Sequence, residues 1–319
     1  MDDRIADRKQ RSGAAGPTAP GRLRIPLRLW PYLFLAPFLL VYLSFNLYPI
    51  FYSLLTSFTK WDGIGAKTYV GLDNFIAVVG KDPYFWKSIG NTLLLMAMST
   101  PFVILFGLLL ANALFQLNRG RSLVQTVNFL PYITTPVAIG LIFAILFDWT
   151  SGTVNVLLMK SHLIQEGINW LGEPLYARLV VAFMIIWKYT GYHMAIYLAG
   201  MSTISPELYE AAKVDGSSPF HSFRKITVPL LAPITLFLVL TDLIGGLQMF
   251  DEPRLLFANI GAPVGGPERA LLTAVWHYYD VTFSSMRFGY GSSVAFTLFL
   301  VIIGFTLVGY AFMGRKERT

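Results

Sequence analysis

Long apolar runs separated by short polar stretches dominate this chain. Six runs approach the roughly 20 residues that a helix needs to cross a bilayer: 30–56, 89–115, 123–147, 177–202, 230–250 and 291–313. Lipid offers no partner to backbone N–H and C=O groups, so only helices and closed barrels cross it. These runs are too long and too continuous for barrel strands. The pattern predicts an all-α, polytopic membrane protein with six transmembrane helices.

Composition agrees. Of 319 residues, 55% are hydrophobic and 13% charged, where an average soluble domain carries about a quarter charged residues. Mean hydropathy is +0.56. A net charge of +7 in a soluble protein would suggest nucleic acid. Here the positive-inside bias accounts for it, and no nucleic-acid partner is expected. With the N-terminus inside, about 15 Lys and Arg residues fall on the inner segments (the N-terminal tail, 116–122, 203–229 and the C-terminal end), against about 8 in the longer outer loops. Both termini are therefore expected in the cytoplasm. Residues 1–28 are polar and basic, with Gly, Pro and Ala between, and read as a disordered cytoplasmic tail. The first apolar run is too long for a cleavable signal. A transmembrane domain over 29–314 and a cytoplasmic tail over 315–319 complete the division.

The outer loops fall at 57–88, 148–176 and 251–290. They hold Trp61, Trp86, Trp149, Trp170 and Trp276, a residue type common at the membrane–water boundary. The stretch Tyr69 to Phe75 reads as folded rather than slack.

Catalytic signatures are missing. The sequence has no P-loop, no H-E-x-x-H and no nucleophile elbow, and its four His are scattered. It has no Cys, so disulfides and thiolate metal sites are excluded. Two intramembrane charges stand out instead, Lys188 and Asp242. A charge at that depth costs several kcal/mol unless paired or wetted. Lys188 shares a helix face with Tyr192, and Asp242 shares one with Gly246 and Met249. Counted from the 203–229 loop, the depths of Lys188 and Asp242 differ by only about 5 Å. This places Lys188 within reach of Asp242, directly or through water, as a structural ion pair, as part of a solute path, or as both.

The polar stretch 203–229 has more pattern than a connecting loop needs. Ser205 is placed to cap a helix that starts at Pro206. Glu207 and Glu210 share a face in its first turns, where carboxylates suit the helix dipole. Gly216 permits a sharp turn, and a basic return through Arg224 and Lys225 ends at Pro229. Read alone, it is an amphipathic cytoplasmic loop.

Glu210-Ala211-Ala212, Asp215-Gly216 and Ile226 to Pro229 together resemble the EAA loop of ABC importer permeases. Gly71 to Phe75, Asn91-Thr92, Pro131, Gly265-Gly266-Pro267 and Gly289 to Ala295 resemble the carbohydrate-importing branch, closest to six-span, maltose-permease-like subunits. The likeness covers about residues 30–313. It implies the ABC type I importer permease fold, a place in the bacterial cytoplasmic membrane, and transport of a di- or oligosaccharide. It also implies several partners: a second homologous permease, two copies of a cytoplasmic ATPase, and an extracellular or periplasmic solute-binding protein. ATP and Mg would lie on the ATPase, with no cofactor, metal or catalysis in this chain. The resemblance assigns ATPase coupling to Glu210, Ala211, Ala212, Asp215 and Gly216, and Glu207 joins them on the helix face it shares with Glu210. It places the substrate path near Tyr189 and Tyr192 and at Asp242, Gly246 and Met249, to which the intramembrane charge reading adds Lys188. Two alternatives stay open: a permease of the same superfamily for another solute such as glycerol phosphate, and a proton-coupled secondary transporter.

Overall fold

The computed structural model describes Pro26, Arg28 and residues 30–117, 119–258 and 262–313. Apart from Pro26 and Arg28, the tails expected at 1–28 and 315–319 lie outside the described residues. The chain divides into two units, Met1–Tyr52 and Ser53–Thr319.

Helix α1 runs Trp30–Ser57 and holds a wider π turn at Leu43–Leu47. No residue of Trp30–Tyr42 is buried, and Phe34 is 76% exposed. A helix that is apolar on all sides needs an apolar solvent.

In the second unit, a short hairpin (β1 Thr59–Lys60, β2 Thr68–Tyr69) pairs antiparallel, with Thr59 opposite Tyr69. Helix α2 (Asp73–Gly80) follows. The Asn74 amide donates to the carbonyls of Ser57 (2.8 Å) and Thr59 (2.9 Å). The stretch expected to be folded is folded.

Two long helices form the spine, α3 (Pro83–Phe115) and α7 (Pro174–Met201). Each begins with Pro at its first position, where the missing N–H costs nothing. They pack parallel, N-terminal end beside N-terminal end. At one end Arg178 Nη2 donates to Asn91 Oδ1 (3.2 Å). At the other, Ala111 and Leu114 share an apolar cluster with Met194, Tyr197 and Met201. At about 1.5 Å per residue α3 is roughly 50 Å long, more than the roughly 30 Å hydrocarbon core, so it must emerge from lipid.

Among the described residues, four helices are long and apolar enough to span a membrane by themselves: α1, α3, α7 and the last helix, Phe288–Met313. The other two expected spans are broken. The run 123–147 is not one helix. It forms α4 (Arg121–Ile133) and α5 (Pro136–Leu146), bent by 95°. The residue before a proline is pushed out of the helical region, and Thr135 is extended, with ψ 135°. Thr134 softens the break. Its hydroxyl donates to the Leu130 carbonyl (2.8 Å), and threonine can so satisfy backbone groups freed inside a membrane.

Helix α6 (Thr153–Lys160) lies between α5 and α7, and α8 (Pro206–Val214) follows α7. The second bent pair is α9 (Pro219–Leu230) and α10 (Ala232–Leu247), turned by 62°. Pro229 and Pro233 flank its break and remove two backbone donors. Among the described residues the count of six spans holds with each bent pair taken as one.

The segment 251–290 is more than a surface loop. It contains α11 (Asp251–Phe257) and α12 (Ala274–Tyr279), and it precedes α13 (Phe288–Met313). Glu252, Pro253, Leu256 and Phe257 are buried. Polar groups of α3 hold the segment down. The Asn91 amide donates to the carbonyls of Arg269 (2.9 Å) and Leu272 (3.1 Å), and Thr92 Oγ1 accepts from the Ala274 N–H (3.1 Å).

Asp82 ties three helices together. Its Oδ1 caps α3 by accepting from the N–H groups of Tyr84 (2.9 Å) and Phe85 (3.3 Å). Its Oδ2 accepts from Tyr290 Oη (2.7 Å) and meets His277 Nε2 (2.9 Å). Burial alone would raise this carboxyl. The Tyr290 hydrogen bond, the charge of His277 and the Tyr84 N–H together hold it below the ordinary 3.8. A depressed carboxylate stabilises the fold above its unfolded pKa and loses that contribution as pH falls through the folded value. Asp82→Ala is expected to lose about 1 kcal/mol of capping and about 1–3 kcal/mol through the orphaned partners. Unfolding in detergent micelles at neutral pH should show this loss, with the gap to the native chain narrowing below pH 3.8.

Candidate functional site

Helices α7 and α10 border the polar stretch 202–231, and both carry polar groups inward. The Lys188 side chain is 8% exposed, and its Nζ lies 2.7 Å from Glu252 Oε1. Tyr189 Oη donates to the same oxygen (2.9 Å). Five residues along α7, His193 Nε2 lies 3.0 Å from Asp242 Oδ2, and His193 Nδ1 lies 3.0 Å from the Tyr189 carbonyl oxygen. The His193 side chain is 1% exposed and that of Asp242 20%.

Aromatic rings complete the wall. Tyr132 of α4 stacks on Tyr192 at 4.7 Å and 23°, and its ring centroid is 5.9 Å from that of Tyr189. Gly191 allows this approach, because a methyl group there would run into the carbonyl of Asn128 on α4.

These groups surround a cavity of about 330 Å³, at the small end of typical ligand sites. Lys188, Tyr189, Tyr192, Asp242, Gly246 and Met249 all line it. Of the two expected links between Lys188 and Asp242, direct or through water, the direct one is corrected: each has another partner, Glu252 and His193. Met249 is mostly core, packed with Leu247 and Leu256. A side chain at Gly246 would press on the Met96 thioether.

Glu252, His193 and Tyr132 were not singled out from sequence. A usable signal existed for Glu252, an acid five residues past α10 beside a helix-weakening Gly pair. His193 follows Tyr192 on a buried face and looked like one of four scattered histidines.

The second candidate region is the short helix α8 with its turn. Glu207, Glu210, Ala211, Asp215 and Gly216 are exposed, and Ala212 is half-buried. Pro206 opens the helix as expected, whereas the Ser205 hydroxyl makes no capping bond. The other end is closed by backbone geometry. Gly216 takes φ +77°, Ser217 N–H donates to the Ala212 carbonyl (2.8 Å), and Gly216 N–H donates to that of Lys213 (3.1 Å). This is the Schellman arrangement, which favours glycine at the left-handed position. Tyr209 Oη lies 3.0 Å from Thr227 Oγ1 and joins α8 to the π turn Phe223–Thr227 of α9. Apolar side chains project from this polar region, with Val214 88% and Phe220 71% exposed.

Residues 103–318 match the family described as the inner membrane component of binding-protein-dependent transport systems. The chain belongs to this family. Among its relatives, the lactose transport system permease protein LacF of Rhizobium radiobacter is 35% identical over 273 residues, which cover 85% of this chain and 89% of the relative. The arabinooligosaccharides transport system permease protein AraP of Bacillus subtilis (strain 168) is 31% identical over 288 residues, 89% of this chain and 88% of the relative. The fold is also that of a solved chain from a bacterial ABC transporter that imports the acidic polysaccharide alginate, with a TM-score of 0.78, 24% identity, and coverage of 90% of this chain and 96% of that one. The protein is thus a multi-pass membrane permease subunit, as the resemblance implied.

Removing one partner of a buried ion pair strands a charge and costs about 3–5 kcal/mol, whereas replacing both by apolar groups is often neutral. Lys188→Met alone and Glu252→Leu alone are each expected to destabilise the chain by that amount, and the double variant to recover most of it. Thermal unfolding in micelles measures all three. A double variant as unstable as either single one would contradict the pairing.

Proposed function

We propose that this chain forms half of the translocation path of an ATP-driven, binding-protein-dependent importer for a di- or oligosaccharide. A homologous permease supplies the other half. A solute-binding protein delivers the sugar, and two copies of an ATPase drive the cycle from the cytoplasm, where both termini of this chain lie. The observation that carries this reading is the cavity between α7 and α10, lined by three tyrosines and by hydrogen-bonding side chains. Tyrosine rings suit the C–H faces of a pyranose. The Asp242 carboxylate, a fifth exposed, has lone pairs to offer a hydroxyl. The relatives named for lactose and arabinooligosaccharides support the same substrate class.

The α8 turn is the coupling element in this reading. Glu207, Glu210, Ala211, Ala212, Asp215 and Gly216 form its capped helix, and Val214 and Phe220 are apolar knobs for a groove in the ATPase. A few well-packed, desolvated side chains contribute most of an interface's affinity.

The mechanism follows from the connections. ATP draws the ATPases together and moves α8, and α7 and α10 rock about the cavity. The cavity then opens to the binding protein, and hydrolysis reverses the motion. The chain binds and gates, and the hydrolytic chemistry belongs to its partner.

Reconstitution with the second permease, the ATPase and the binding protein should give ATP-dependent uptake of a labelled disaccharide that survives collapse of the proton gradient. Uptake by this chain alone, driven by that gradient, would instead establish a secondary transporter. In the assembled complex, Phe220→Asp or Val214→Asp should leave membrane insertion unchanged and reduce both uptake and stimulated ATP hydrolysis by at least about tenfold, the scale of losing one hot-spot anchor. Normal coupling in both variants would remove α8 from the ATPase interface.

A further inference from the structure

We propose that this chain's wall of the path selects an uncharged sugar and rejects carboxylated or phosphorylated solutes, with Glu252 and His193 as the residues that set this selectivity. The inference rests on the reading of the cavity as a sugar site, and it goes further by naming the charge class of the solute.

Among side chains, a cation with free hydrogen-bonding capacity holds an anion most strongly. The cavity has two candidates. The Lys188 ammonium is already held by Glu252 at 2.7 Å, in a pair with both side chains 8% exposed. The second candidate, His193, requires a count of protons. Its Nδ1 faces the Tyr189 carbonyl oxygen, which can only accept, so Nδ1 carries hydrogen. Its Nε2 faces Asp242 Oδ2 at 3.0 Å. Two bare lone pairs would repel at that distance, so one proton lies between them. Whether that proton sits on the ring or on the carboxyl, the pair holds one proton and has zero net charge.

Both pairs are therefore neutral as units. The remaining charged group on the lining is Asp251, which is exposed in the first turn of α11. The surplus charge of the wall is negative. A neutral sugar meets hydroxyl, amide and aromatic partners there, whereas an anion meets a like charge and no free cation.

Two substitutions separate charge from shape. Glu252→Gln keeps the volume and leaves the Lys188 ammonium without its counter-ion, so the wall gains a cation. Asp242→Asn removes the carboxylate and the shared proton together. Neutral His193, with hydrogen on Nδ1, can then accept from the new amide, and the net charge stays unchanged. A chain that has lost one carboxylate should therefore gain anion affinity in one case and not in the other.

The test is calorimetric titration of the assembled, nucleotide-free transporter with lactose, cellobiose, arabinobiose, digalacturonate and sn-glycerol 3-phosphate. For the native chain at least one neutral disaccharide should bind, with both anions weaker by at least about tenfold, since like-charge juxtaposition is costly. Glu252→Gln should strengthen digalacturonate binding by about tenfold relative to the neutral sugar, as an unpaired ammonium would. Asp242→Asn should not. Lys188→Met with Glu252→Gln should restore the native ranking, which excludes a loss of shape as the cause. If Glu252→Gln fails to assemble, the native ranking and the Asp242→Asn ranking still decide. Digalacturonate binding as tightly as the neutral sugars would overturn the inference and leave the sugar reading standing. Tight glycerol 3-phosphate with no saccharide bound would overturn both, as would no binding by any of the five.

Discussion

An ammonium group in the middle of an apolar helix must find a carboxylate, and much of this structure is arranged around that need. Lys188 sits near the centre of the 28-residue helix α7, where an uncompensated charge would be costly. Its counter-ion comes from outside the spans. Helix α10 stops at Leu247, the chain reverses, and α11 brings Glu252 back against α7. For Glu252 to reach this far, the segment after α10 must be buried. The apolar face of α11 meets that condition, with Leu256 and Phe257 in the same core as Val180, Val181 and Met184 of α7. The carbonyls of the segment need partners too, and Asn91, together with Arg178 at the Ala270 carbonyl, supplies them. A single buried pair thus converts a connecting loop into a wall of the central cavity.

The spans were largely legible because length and apolarity decide them, and lipid enforces the choice. The breaks were less legible. Residues 123–147 are apolar enough to read as one helix, and hydropathy gives no weight to direction. The local chemistry of Thr134-Thr135-Pro136 did carry the signal, since a residue before proline avoids the helical region. The pairing of charges failed for a geometric reason. A depth measured along a straight helix from residue 230 starts at a bend, because the chain turns by 62° at Leu231. The expectation also treated α10 as continuing to residue 250. It ends at Leu247, which puts Asp242 near the end of its helix and frees the next residues to turn back.

The candidate site was half legible for a related reason. Helix periodicity brought Lys188 and Tyr192 to one face, and Asp242 and Gly246 to another, and all four line one cavity. Periodicity cannot say what crosses between helices. Glu252 reaches Lys188 over 64 positions and Asp242 reaches His193 over 49, and no local pattern encodes those contacts. The exposed apolar side chains of the 203–229 region are not legible in the sequence, where charge and turn residues dominate the pattern. Val214 and Phe220 gain meaning only once the fold leaves them uncovered.

The two polar pairs also give the proposed coupling a mechanical form. Helix α7 holds Lys188, Tyr189, Tyr192 and His193 on one rigid body, and residues 202–205 alone separate it from α8. Asp242 and Glu252 stand on the other side, on α10 and α11, beyond the bend at Leu231. Each pair therefore bridges two bodies. If α8 moves, the bend at Leu231 is the weak point between α9 and α10, because Pro229 and Pro233 remove two of the backbone donors around it. A change of angle there would act on the Asp242–His193 contact and on the Tyr197–Thr235 hydrogen bond between the same two helices. The groups that line the cavity are then the same groups that register the motion, so solute in the cavity and the state of α8 act on one set of bonds. Linkage makes such a coupling reciprocal. Whatever favours one arrangement of the pairs from the solute side must favour the matching arrangement of α8.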